Sequence, residues 1–166
     1  MIKTSVVGWR APRFVTRSLS IIRPADTTAY AVDDVLSAVA VEFGILTDAA
    51  GAADLSGVIT DMVVISTNGP ATPLQGELWL FDSPVTAVAD NAAFALSDAH
   101  ALFLVGIVPF TMVSQASNSV VHVVAIDMAF TTVAGRDLYT LVKVKNAYTP
   151  ASLETVTFRL KIRQEG

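Results

Sequence analysis

The stretch ETVTFRLKIRQ, residues 154–164, alternates without a break. Val156, Phe158, Leu160 and Ile162 fall on one side and Thr155, Thr157, Arg159, Lys161 and Arg163 on the other. That period of two is the pattern of a strand with one dry and one wet face. Upstream, DLYTLVKVKNAY (137–148) sets Leu138, Thr140, Val142 and Val144 against Tyr139, Leu141, Lys143 and Lys145. The two strands are expected to pair through NAYTPAS (146–152), a loop longer than a tight two-residue hairpin.

Working outward, LQGELWLFDSP (74–84) is a strand closed by Ser83 and Pro84, with Trp79 and Phe81 on one face and Leu78 and Leu80 on the other. Two apolar faces suit a strand covered on both sides, the outer one by another element or subunit. RFVTRSLSII (13–22), GVITDMVVIST (57–67), ALFLVGIVPF (101–110) and SVVHVVAIDMAFTTV (119–133) read as further strands, punctuated by TNGPATP and SQASN. Helix signals are weak: AVDDVLSAVAVEFG (31–44) carries both spacings, and DNAAFALSDAH (90–100) offers a helical turn capped by Asp90. No fixed-period repeat is evident. The expectation is an all-β, single-domain antiparallel β-sandwich, jelly-roll-like and with little helix. Residues 1–17 form a basic arm or first edge segment and residues 18–166 the sandwich.

Between these strands, IIRPADTTAYAVDDVL (21–36) breaks the alternation. Pro24 fixes φ and lacks an amide donor, so SIIRP ends a strand or lies on an edge. Asp26, Thr27 and Thr28 are suited to bond nearby backbone before AYAV resumes the chain.

The 166 residues suffice for one core, and 16% charged residues is low for a soluble domain, so part of the surface is expected to belong to partners. All 11 basic residues lie before Pro24 or after Gly135, while 12 of the 15 acidic ones lie between. The middle therefore carries −12 and the ends +8, leaving −4 overall. Such segregation is either neutralised by the ends packing beside the middle or displayed as opposite patches. Nucleic-acid binding is not expected from spread cations on an acidic chain. No run of about 18 apolar residues suggests a membrane span or leader, so a soluble or assembled product is expected.

The usual catalytic constellations do not assemble. There is no cysteine, no G-x-S-x-G, no H-E-x-x-H and no phosphate-binding glycine loop. His100 and His122 stand on apolar runs, where a hydrogen-bonded structural role is expected over a two-histidine, one-carboxylate metal site. Asp33 and Asp34 are adjacent, poor geometry for acid–base work across a sugar ring. Asp82, Asp90 and Asp98 recur every eight residues, a spacing that could gather calcium but without the usual loop pattern. Trp9 and Trp79 are stacking candidates for a glycan, or docking and core residues. No catalytic, cofactor-binding or metal residue is assigned.

RPADTTAYAVDDVLS, GVITDMVVIST, LQGELWLFDSPV, DNAAFALSD and FLVGIVPF together resemble a family of small tailed-bacteriophage virion proteins of the head decoration or minor structural type. The likeness covers residues 17–110; one departure is Val32-Asp33, where the pattern would have a small residue and glycine. The resemblance implies a β-rich, non-enzymatic accessory subunit, a homo-oligomer with a trimer favoured, whose partner is the major capsid protein lattice. It would sit on the outer surface of the head, after a stay in the host cytoplasm. The alternative is a tail-associated carbohydrate- or receptor-binding module.

Overall fold

The computed structural model describes residues 11–37, 44–47, 49–50, 56–133 and 135–164. The described residues form eleven strands and one short helix: β1 (Arg13–Ile22), β2 (Val35–Leu36), β3 (Gly44–Leu46), β4 (Ser56–Ser66), β5 (Gln75–Phe81), α1 (Asp98–Ala101), β6 (Leu104–Thr111), β7 (Val113–Ser114), β8 (Ser119–Val123), β9 (Met128–Thr131), β10 (Leu138–Val144) and β11 (Thr155–Gln164). All pairings are antiparallel. One sheet runs β1-β11-β4-β8-β7 with β9 beside β4, and the other runs β2-β10-β5-β6 with β3 beside β10.

The two sheets face each other across a single apolar layer, the arrangement of a β-sandwich. Val156, Phe158, Leu160 and Ile162 of β11 are fully buried in it, as the alternation requires. Leu78 and Leu80 of β5 and Val142 and Val144 of β10 meet them from the opposite sheet. Phe110 and Phe158 cross the layer edge to face at 5.6 Å. Glycine is used where aromatics need room: a methyl on Gly76 would come within 2.7 Å of Phe110 Cζ, and one on Gly57 within 2.8 Å of Phe130 Cζ. Both glycines sit directly opposite those rings across a strand pair.

The expected hairpin of 137–148 with 154–164 does not form. β10 pairs with β5, β2 and β3, whereas β11 lies between β1 and β4 in the other sheet. The intervening loop carries the chain from one layer to the other. The physical reason shows in β10 itself: Leu141 is buried on the face opposite Val142, so β10 is dry on both sides and belongs in the centre of a covered sheet.

β1 runs unbroken through position 17 to Ile22, paired with β11 along its whole length. The chain then crosses between sheets over residues 23–34, the corner begun at Pro24. Residues 1–10, with Trp9, lie outside the described residues. The helical expectations are met only by one short turn among the described residues. In 31–44, Val35–Leu36 is strand and residues 38–43 lie outside the described residues. In 90–100 the only helical part is α1, capped by Ser97, whose side chain accepts from His100 N. Asp90 is engaged elsewhere.

Candidate interaction surface

The outer faces of the two sheets differ. On the five-stranded sheet, residues 82–103 fold back over β5 and β10 and close a second apolar cluster of Phe81, Val85 and Leu141 with Trp79, Phe94 and Leu96 packed against it. Trp79 and Phe94 lie 4.8 Å apart, and Trp79 Nε1 donates to Glu77 Oε2 at 3.1 Å. The two-faced apolar pattern of LQGELWLFDSP is thus explained by a cover from the chain itself. Lys143 Nζ stands 5.3 Å above the Phe94 ring and, with Lys145, holds the Asp33 carboxylate at 3.0 and 2.9 Å. These two ammonium groups keep Asp33 below the ordinary carboxylate range, and Asp33 raises Lys145 in return. Asp33 has φ +73°, the left-handed region glycine favours.

The cover is pinned by Asp90. Its carboxylate accepts from Arg23 Nη2 at 2.9 Å, from the Tyr30 hydroxyl at 2.6 Å and from Ser37 N at 2.9 Å. Arg23 is wholly buried; its Nε donates to the Tyr30 hydroxyl oxygen and its Nη2 also reaches Asp26 at 3.5 Å. Asp26 in addition accepts from Thr28 N at 3.0 Å, a local turn. Tyr30 pairs with Tyr148 through the backbone and stacks on it at 6.3 Å. Beyond Tyr148 lies buried Glu154, which accepts from the Tyr148 hydroxyl and Ser66 Oγ, from Asn68 Nδ2 at 3.2 Å and from Ala151 N at 3.0 Å. One polar network therefore ties the 23–37 crossover, the cover and the 145–154 crossover together. Burial beside carboxylates pushes both Tyr30 and Tyr148 far above the usual phenol range.

The outer face of the six-stranded sheet has no such cover among the described residues. Cross-strand registers place Thr16, Lys161 and Asp61 in one row and Ser18, Arg159, Val63 and His122 in the next. Thr16, Asp61, Val63, His122, Arg159 and Lys161 line a shallow depression of about 270 Å³. Lys161 Nζ lies 5.2 Å over the ring of Phe14, itself 56% exposed. Arg159 and Lys161 are exposed and make no ion pair among the described residues, while His122 Nε2 lies 3.6 Å from Asp61 Oδ1. The bulge in β4 between its pairings with Lys161 and Ile162 sits at this depression and locally alters the alternation of β4.

The sequence candidates are scattered by the fold. His122 is 56% exposed on the open sheet, where its Nε2 faces Asp61 rather than a second histidine. His100 Nδ1 accepts weakly from Thr86 N at 3.5 Å on the covered side. Asp34 accepts from Ala31 N at 2.6 Å and Asp33 from the two lysines, so the adjacent pair serves a turn. Asp82, half-buried with Oδ1 unpartnered, Asp90 in the Arg23 network and Asp98 in the first turn of α1 occupy separate surroundings. Among the described residues no group of three His, Cys, Asp or Glu side chains is placed to hold a metal ion. The Arg23–Asp90 network has one visible sign in the sequence, a lone arginine between Ile22 and Pro24.

No known family model and no curated protein matches this chain.

Proposed function

We propose that this protein is a virion structural subunit that binds the outside of an assembled phage head and reinforces it. The observation that carries this reading is the contrast between the two faces: one is sealed by the chain itself, while the other leaves exposed strands with Arg159 and Lys161 beside Val63. A rigid sandwich with one finished and one open face suits a subunit that clamps onto a surface. The resemblance of residues 17–110 to head decoration proteins supports the same reading. So does the strand order, which we read as an eight-stranded jelly roll, with β2 and β3 sharing one position beside β10 and β7 and β9 as additions.

The mechanism is mass action. A subunit that binds the expanded lattice and not free capsid protein stabilises the lattice by an amount that grows with the logarithm of one plus the ratio of its free concentration to its dissociation constant. A homotrimer at junctions between shell subunits would multiply weak contacts by effective concentration. The glycan-binding alternative relied on Trp9 and Trp79; Trp79 lies half-buried against Phe94, which removes half of its basis. Cosedimentation of the purified protein with expanded empty heads, unexpanded heads and isolated capsid subunits tests the reading. Saturable binding to expanded heads alone is expected; equal binding to free subunits, or binding only to tails, overturns it.

A further inference from the structure

We propose that the open face, centred on Arg159 and Lys161, docks an acidic segment of the shell protein. This rests on the head-binding reading above. The chain carries net charge −4, and several of its cations are already used internally: Arg23 by Asp90 and Asp26, and Lys143 and Lys145 by Asp33. Arg159 and Lys161 are different. They stand exposed on alternate positions of the same strand face, with no ion pair among the described residues. The segregated charge of the sequence is therefore partly neutralised inside the fold and partly displayed on this sheet.

The geometry selects the partner. Lys161 is steadied over the Phe14 ring, and Arg159 lies in register with Val63 and His122, so the surface alternates cationic heads with apolar floor. That pairing fits a peptide bearing carboxylates among apolar residues, which gains both charge complementarity and burial. A second copy meeting this face across a two-fold axis would bring the Arg159 and Lys161 of both copies, four cations, against only the two Asp61 carboxylates, an unfavourable match. A nucleic acid asks for a denser basic patch on a positive domain. Asp61, beside Lys161, works against an acidic ligand and supplies a test of sign.

Three forms of the full-length protein are compared: wild type, R159E/K161E and D61N. Each is titrated against expanded empty heads and, separately, poly-L-glutamate, at low and high salt. R159E/K161E is expected to lose binding to both probes by at least about tenfold, with D61N unchanged or tighter and wild-type binding weakening as salt rises. Circular dichroism and thermal unfolding should match wild type, since both altered side chains are exposed. R159K/K161R, which keeps the charge, should restore binding. If R159E/K161E binds heads as wild type does, the docking face is overturned and the head-binding reading stands. If wild type binds poly-L-glutamate through these residues but not heads, the head-binding reading falls instead. A change in oligomeric state of R159E/K161E in sedimentation velocity, with head binding lost, would assign the face to contacts between copies and overturn the proposal.

Discussion

Arg23 and Asp90, 67 positions apart, meet at 2.9 Å in a contact where the guanidinium is fully buried and the carboxylate nearly so. Arg23 belongs to the corner between β1 and β2, and Asp90 to the cover over the five-stranded sheet. The pair fastens an irregular segment to the frame.

Removing Asp90 leaves the buried Arg23 charge with only the longer contact to the half-exposed Asp26, at 3.5 Å. Asp90→Ala is expected to cost about 3–5 kcal/mol of unfolding free energy, measured by urea denaturation. Residues 82–103 should become the first site of limited proteolysis. An Arg23→Met, Asp90→Leu double variant should recover much of the loss, because the desolvation penalty disappears with the pair.

Tyr30 and Tyr148 make alkaline stability a direct readout of the same network. Both phenols are held neutral in the fold, whereas in the unfolded chain they ionise near pH 10. Below that pH both states keep the proton and the contribution is complete. Above it the unfolded state releases protons that the native state retains, so stability falls as pH rises, with a slope approaching about 2.7 kcal/mol per pH unit for the two groups. Denaturant titrations above pH 10 should show this slope, and Tyr148→Phe should reduce it.

Position 33 separates backbone from charge. Asp33→Gly suits the left-handed backbone but forfeits the contacts to Lys143 and Lys145, whereas Asp33→Ala forfeits the contacts and keeps the strain. Thermal unfolding should therefore rank the alanine variant below the glycine variant, by about 1 kcal/mol from the backbone alone.

The cover over the five-stranded sheet is testable through Trp79. Phe94→Ala in a Trp9→Phe background should shift Trp79 emission to the red. It should destabilise the fold by about 1–3 kcal/mol, below the cost of emptying a fully buried phenylalanine site.

Much of this architecture is legible in the residues, and the rest is hidden for identifiable reasons. The dry face of β11 follows from Val156, Phe158, Leu160 and Ile162, and the two dry faces of β5 from Trp79 and its neighbours, because period two maps directly onto the faces of a strand. The partner of β10 was not legible: alternation says which face is buried, not which strand lies alongside, and Leu141 was the clue that β10 needs cover on both sides. The cover itself has no period, since Val85, Phe94 and Leu96 lie on irregular backbone. Arg23–Asp90 depends on tertiary approach across 67 positions, which no local pattern encodes. The open face is half visible, because period two puts Arg159 and Lys161 on the wet side, while their proximity to His122 and Asp61 requires the register of three strands.

Reinforcement of the shell is the central claim, and the temperature at which expanded empty heads disrupt, followed by light scattering while this protein is titrated in, tests it most directly. The account predicts a midpoint that rises as the sites found by cosedimentation are filled and then continues to climb with the logarithm of free protein. A midpoint that stays fixed while the protein is bound at saturation would contradict it.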